Sequence, residues 1–278
     1  MARVEINKIF VAYKPTGLSS NQYLGRLKRI YNVKKAGYSG TLDPFAKGCL
    51  IVAFGSFTKF FRFLDKAPKA YKATLWLGAY SDTLDIEGIT NPQVIEPFDE
   101  EKVKQVIKDL EGELDYIPPK YCAKKIDGKR AYELARAGEE VKLNTIHSTI
   151  YETKLLHYCH PYVTFEATVS EGTYIRSLGE MIAHKLGTDG ALTALERLRE
   201  GSFHYNNETP ISPLDALKME RIQFSGEIAD IWLGKKIDLA MMSIQEEGVY
   251  LLHDDIFAAV LEIKDEKVSY LLNKVPLC

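Results

Sequence analysis

Residues Gly37-Tyr38-Ser39-Gly40-Thr41-Leu42-Asp43-Pro44-Phe45-Ala46-Lys47-Gly48 constrain this chain most. Three glycines open backbone torsions closed to other residues and let another chain come close. Pro44 biases Asp43 towards an extended conformation. An apolar, strand-like run, Cys49-Leu50-Ile51-Val52-Ala53-Phe54, follows at once. On local chemistry the segment reads first as a tight turn in which Asp43 hydrogen-bonds its own backbone. The alternative is a lone carboxylate held out towards a cleft.

The flanks read as alternating strands and helices. Lys8 to Tyr13 is a short buried strand ending at Lys14-Pro15-Thr16-Gly17, a turn signal. Ser19 or Ser20 caps a helix to about Tyr31, with Leu24, Leu27, Ile30 and Tyr31 on its apolar face. A helix is expected near Thr58–Leu64, then a half-buried strand with Tyr71, Ala73, Leu75 and Leu77 on one face. Ser81–Gly88 reads as an acidic loop. Asp99 caps a helix to about Leu110, and Pro161 to Val169 alternates as a strand. Tyr174 opens a helix to about Leu186, Leu192–Leu198 reads as a short helix, and Ser202–Tyr205 as a strand. Beyond about residue 227, four short apolar runs (Ile228–Leu233, Gly248–His253, Ile256–Ile263, Val268–Leu272) between acidic turns suggest a small β-barrel or sandwich.

The 278 residues suffice for one large domain and a small one. Overall charge is −2, but its distribution is uneven: residues 1–75 hold 14 Lys and Arg against 3 Asp and Glu, whereas 206–278 hold 7 against 13. A basic segment around the glycine loop is the footprint expected for phosphate contacts. Between Ile117 and Val141, Lys120, Lys124, Lys125, Lys129, Arg130 and Arg136 interleave with Tyr121 and Tyr132. That texture suits RNA, because lysines neutralise phosphates and rings stack on bases; a solvated helical hairpin is the alternative. Cys49, Cys122, Cys159 and Cys278 form no C-x-x-C pair, and His157-x-x-His160 has no supporting ligands, so no metal is expected. Residues 1–5 lack a signal-like apolar region and no apolar run reaches membrane length; a reduced cytoplasmic protein with no membrane association is expected.

Six motifs stand in order: Lys14-Pro15-x-Gly17-x-Ser19-Ser20, Gly37-x-x-Gly40-x-Leu42-Asp43-Pro44-x-Ala46-x-Gly48, Gly55-x-x-Thr58-Lys59, Tyr71-Lys72-Ala73, Gly172-Thr173-Tyr174-Ile175-Arg176 and Leu195-x-x-Leu198. In this register, from about residue 8 to about 205, the chain resembles the TruB family, tRNA pseudouridine synthases that act on uridine 55. The resemblance implies a mixed α/β catalytic domain over 1–215, built on a largely antiparallel sheet with flanking helices. It further implies a thumb-like RNA-binding insertion near 117–142 and a short all-β PUA-like domain over 227–278.

It also assigns roles. Asp43 is the catalytic carboxylate, Arg176 its orienting partner and Tyr174 the candidate for taking the uracil C5 proton. Tyr71 stacks on the flipped uracil and Leu195 walls the pocket. Lys14, Gly40, Tyr38, Lys124, Lys125 and Arg130 complete the expected substrate contacts. The reaction breaks the ribose C1′–N1 bond, turns the base and joins C1′ to C5. It has no redox step and implies no cofactor or metal. The implied partner is the tRNA T-arm, met by a monomer with no obligate protein partner. The alternatives are a guide-RNA-dependent enzyme of the same family, or an RNA-binding or tRNA-folding protein without catalysis. Tyr38 stands where the family usually has histidine, Thr41 where alanine is common and Lys47 where threonine is common. Tyrosine keeps an aromatic face but does not ionise near neutrality.

Overall fold

A computed structural model describes residues 6–126 and 128–277; residues 1–5 and Cys278 lie outside them. In chain order the elements are β1 (Lys8–Lys14), α1 (Ser20–Ile30), β2 (Ala36–Ser39), β3 (Lys47–Phe54), β4 (Lys69–Leu77), β5 (Tyr80–Ser81), β6 (Ile89–Thr90), α2 (Glu100–Lys108), β7 (Gly112–Tyr116), β8 (Lys125–Ile126), β9 (Lys129–Arg130), α3 (Ala131–Arg136), β10 (Ile146–Cys159), β11 (Tyr162–Val169), α4 (Ile175–Leu186), β12 (Gly190–Glu200), β13 (Phe203–His204), α5 (Pro213–Ala216), α6 (Ile228–Leu233), β14 (Gly248–His253), β15 (Phe257–Lys264) and β16 (Lys267–Pro276). Among them no helix is long and apolar enough to cross a membrane.

The main sheet runs β1-β3-β12-β4-β11-β10-β7, with β2 added on β3 and β13 on β12. Every pairing is antiparallel except β3 with β12, which meet in parallel through Lys47–Glu196 and Gly48–Arg197. The expected mixed, largely antiparallel α/β architecture is therefore the one observed. Gly48 makes the parallel seam possible. Its φ is +110°, and a Cβ there would lie 2.3 Å from the Arg197 carbonyl oxygen, so only glycine lets the strands meet.

Local signals account for several elements. Ser19 and Gln22 form a reciprocal capping box on α1. Leu24 and Leu27 of that helix are buried, but Ile30, expected on the same face, is exposed. Asp99 caps α2 through the Glu101 and Lys102 amides. Tyr71, Ala73, Leu75 and Leu77 of β4 are all buried on one face, as alternation requires. The expected helix near 58–64 is a 3-10 turn over Gly55–Phe63.

Two expectations fail for identifiable reasons. The segment 192–198 is not a helix; it lies within β12. That strand is bulged against β4 between Leu192 and Ala194 and between Arg197 and Arg199. Each bulge inserts a residue, so the buried side chains fall at Leu192, Leu195, Arg197 and Glu200. Intervals of three, two and three residues break the strand's alternation and imitate helical spacing over Leu192–Leu195. In the C-terminal part, Ile228–Leu233 is the short helix α6 rather than a strand. What remains is one three-stranded sheet, β14-β15-β16, not a barrel or sandwich.

Alternate residues of β15 serve two cores. Phe257, Ala259, Leu261 and Ile263 pack with Ile222, Ile231, Ile237 and Met242. Ala258 and Val260 instead join Ile9, Val11, Ile51, Phe57, Phe60 and Leu217 of the first part of the chain. A strand covered on both faces reads as a continuous apolar run, which is how Phe257–Ile263 reads. The long strand β10 and its edge partner β7 carried no clear alternation and were not expected from sequence.

Candidate active site

A cleft of about 360 Å³ opens beside the Gly40–Asp43 loop, with its other walls from β4, the turn before α4, β12 and the Cys122–Lys124 segment. Asp43, Tyr71, Tyr174, Arg176, Leu195, Gly40 and Lys124 all line it. More than 150 residues of sequence thus converge on one space. The loop is tied to the start of α1. The buried Ser20 hydroxyl donates to the Leu42 carbonyl and accepts from the Leu42 amide (3.0 and 2.9 Å), and the Gly17 amide donates to the Pro44 carbonyl at 2.8 Å.

Asp43 meets Arg176 at the N-terminal end of α4, with Nε 3.0 Å from Oδ2. Arg176 is buried, and its remaining donors are spent on protein: Nη1 on the Thr83 carbonyl (2.7 Å), Nη2 on the Tyr121 carbonyl (2.8 Å), with Asp85 Oδ2 3.5 Å from Nη1. Asp85 is itself held by the Thr83 hydroxyl at 2.6 Å and the Glu87 amide at 3.0 Å. The guanidinium therefore cannot swing, and it fixes the direction of the Asp43 carboxylate. Burial pushes the Asp43 carboxyl above the usual carboxylate range, and the Asp85 charge adds to this; Arg176 and Lys14 pull the other way. The side chain keeps 36% exposure towards the cleft, so water relieves part of that burial until a ligand displaces it. The outcome is a carboxylate aimed into a cleft, less well solvated than an ordinary aspartate.

Around it the walls are apolar and aromatic. Tyr71 and Leu195 are buried in the main core and show one edge each to the cleft. The Tyr174 amide donates to the Tyr116 hydroxyl at 2.9 Å, which pins the residue where strand turns into helix. Burial raises the Tyr174 phenol far above its usual range, reinforced by Cys122 beside it, so it is a neutral hydroxyl at physiological pH.

A second ion cluster borders the same cleft. Arg197 donates from Nε to the Cys49 carbonyl (2.9 Å) and from Nη2 to the Gly40 carbonyl (3.0 Å), and Nη2 lies 2.9 Å from Glu200 Oε1. Lys69 Nζ lies 3.0 Å from the other Glu200 oxygen. The Gly40 backbone (φ +69°) comes so close that a Cβ would lie 2.7 Å from Glu200 Oε2.

Other expected residues sit elsewhere. Lys14 is fully buried beneath the loop, not on the cleft wall; its ammonium donates to the carbonyls of Leu18 (2.6 Å), Pro15 (2.9 Å) and Pro44 (3.5 Å). Burial pushes it down to about 8, Asp43 partly offsetting this, so it is charged at neutral pH and braces the loop from below. Tyr38 pairs with Val52 across β2 and β3, and its ring packs half-buried on the cluster of Phe10, Leu24 and Phe54, away from the cleft lining. Lys125 and Arg130 face each other across the exposed β8–β9 hairpin, outside the cleft. Sequence reasoning missed Asp85, Lys69, Arg197, Glu200, Tyr116 and Cys122. Asp85 lay in a segment read as loop, Arg197 in one read as helix and Glu200 just beyond it, so no pattern marked them as buried.

The family model for the N-terminal domain of TruB family pseudouridylate synthases matches residues 28–175. The chain belongs to the TruB family. The chain is 55% identical to tRNA pseudouridine synthase B of Sulfurimonas denitrificans over 97% of its length and 99% of that protein's. It is 50% identical to the protein of the same name from Campylobacter curvus, over 98% and 100%. Among solved structures it resembles a Cbf5-Nop10-Gar1 complex (TM-score 0.69, 19% identity, 99% of this chain and 86% of that one) and an H/ACA RNP bound to a substrate RNA containing 2′-deoxyuridine (TM-score 0.67, 20% identity, 97% and 86%). At those identities the likeness is one of fold. As a TruB family member the chain is a pseudouridine synthase, an isomerase.

Proposed function

We propose that this chain converts uridine 55 in the T-loop of tRNA to pseudouridine, with Asp43 as its catalytic carboxylate. The observation that carries the reading is Asp43 paired at 3.0 Å with an immobilised Arg176 at the mouth of a cleft walled by Tyr71 and Leu195. Relatives about half identical to the chain over nearly its full length bear the name tRNA pseudouridine synthase B, which supports tRNA as the substrate. A uridine inside a folded T-loop is out of reach, so the base is flipped into the cleft, where the Tyr71 ring offers it a stacking face.

Asp43 then acts on the sugar–base unit as the C1′–N1 bond breaks, as nucleophile or as counter-charge for the sugar. The base turns, C1′ bonds to C5 as any bond to Asp43 is released, and the freed N1 takes up a proton as C5 gives one up. Tyr174 is the group that takes the C5 proton. Its phenol is already protonated, so accepting that proton requires releasing its own to water or to a neighbour. Lys124, Lys125 and Arg130 grip the RNA backbone from the insertion. The substrate places the enzyme in the cytoplasm, working as a monomer without a guide RNA.

Tritium release from tRNA labelled at uridine C5, with the product position mapped, tests this directly. Wild type is expected to release label at the T-loop uridine and Asp43→Asn to release none while still binding tRNA. Release by Asp43→Asn removes that residue from the centre of the mechanism. Tight binding by wild type without release points instead to a guide-dependent enzyme or an RNA-folding protein.

A further inference from the structure

In the lining of the cleft a surface carboxylate sits against two lysines. Glu171 Oε1 lies 3.3 Å from Lys69 Nζ and 3.6 Å from Lys66 Nζ. The three partners differ in freedom. The Lys69 side chain is 8% exposed and anchored from behind by Glu200, which is fully buried. Burial disfavours its charge, but Glu200 more than offsets that, and Lys69 titrates above the ordinary lysine range. It is a fixed cation. Lys66 is partly buried beside it. Glu171, by contrast, is 52% exposed and sits in the turn between β11 and α4. The next residue, Gly172, has φ +90° and open space where a Cβ would stand, so nothing packs over the turn at that point.

Charge counting shows what Glu171 does there. Arg197 and Glu200 cancel; of the two lysines that remain, Lys69 lines the cleft and Lys66 stands beside it, with Glu171 the carboxylate they share. Two ammonium groups around one oxygen anion, one of them held rigid by a buried acid, suit a phosphodiester oxygen equally well. Lys69 and Glu171 line the same cleft as Asp43 and Tyr71, close to where the backbone of a flipped nucleotide must pass.

We propose that Lys66 and Lys69 form a binding site for a backbone phosphate of the substrate RNA, and that Glu171 fills this site in the free protein as an internal stand-in. RNA entry then exchanges one anion for another. The exposed Glu171 side chain swings out, the phosphate takes its contacts, and no lysine is left bare in either state. Because Glu171 must be displaced, it weakens binding of an RNA that brings a phosphate to this point. The inference rests on the reading of the cleft as an RNA site.

The test is fluorescence anisotropy of a labelled T-arm stem-loop over a series of salt concentrations, beside tritium release from tRNA by the wild type. Glu171→Gln removes the stand-in charge at constant shape and is expected to tighten binding at least about threefold, the scale of an exposed ion-pair network that no longer has to be broken. Lys66→Gln is expected to weaken binding and to reduce the log–log salt slope by roughly 0.7–0.9, as for one lost phosphate contact. In the Lys66→Gln background the gain from Glu171→Gln should shrink, since the two act on one site. Unchanged or weaker binding by Glu171→Gln overturns the proposal, as does a gain of equal size in both backgrounds. A wild type that neither binds the stem-loop nor releases tritium fails the functional reading itself, an outcome distinct from these.

Discussion

Two arginines border this cleft and do opposite jobs with the same chemistry. Arg176 and Arg197 each hold a carboxylate and two backbone carbonyls in the fork of a buried guanidinium. Around Arg197 the cluster is sealed: Glu200 is fully buried, and the arginine grips the loop at Gly40 and the strand at Cys49. Around Arg176 the cluster is open on one side, where Asp43 faces the cleft. A carboxylate sealed away from solvent cannot meet a ligand, so the Arg197–Glu200 pair serves as a clamp. An open one keeps a carboxylate poised beside solvent and ready for a substrate. The comparison teaches that exposure of the acid, not the identity of the pair, separates architecture from chemistry.

Removing the acid from each cluster should separate them further. Glu200→Ala strands Arg197 and Lys69 in the interior and is expected to cost about 3–5 kcal/mol of stability, measured by denaturant unfolding. A loss below about 1 kcal/mol would mean the cluster is not a clamp. Arg176→Lys keeps the charge but cannot reach Asp43 and the Thr83 and Tyr121 carbonyls together. Turnover should fall on the order of 10²–10³-fold, as for loss of one preorganised electrostatic contact, with tRNA affinity nearly unchanged. Wild-type turnover in that variant would make Arg176 a second clamp.

A smaller effect is expected away from both clusters. Alanine at Lys124, Lys125 and Arg130 together should weaken tRNA binding and flatten its salt dependence without lowering the unfolding midpoint. An unchanged slope would remove the insertion from the RNA interface.

The subtlest contrast lies in pH. Burial outweighs Arg176 at Asp43 and raises its carboxyl in the folded protein, so folding binds that proton more tightly than the unfolded chain does. The associated stabilisation is present at low pH and is lost as pH rises through the ordinary aspartate range to the raised folded value. At neutral pH Asp43→Asn should therefore melt no lower than wild type although it is inactive, and its advantage should vanish as the pH falls below the carboxylate range. A clear loss of stability at neutral pH would show Asp43 bound into architecture as Glu200 is.

Much of the molecule was legible in its sequence because the relevant physics is local. Alternation in β4 and β11 marks strands half-covered by a core. The Ser19–Gln22 and Asp99 caps mark helix starts, and glycines around Asp43 mark backbone that must turn. The resemblance of its motifs to the TruB family selected Asp43, Tyr71, Tyr174, Arg176 and Leu195, and the fold does bring them to one cleft. What escaped depends on which residues become neighbours. Bulges in β12 disguised a strand as a helix, and with it hid Arg197. A core shared by β15 and the first strands made one three-stranded sheet where short apolar runs suggested a separate barrel. Lys14, read as a substrate contact, found carbonyl partners beneath the loop. The sequence by itself determined the local conformations and the identity of the reactive groups, since torsional preference and periodicity act over a few residues. Which charges are sealed and which stay open was decided only by tertiary structure, because burial is a property of what packs on top.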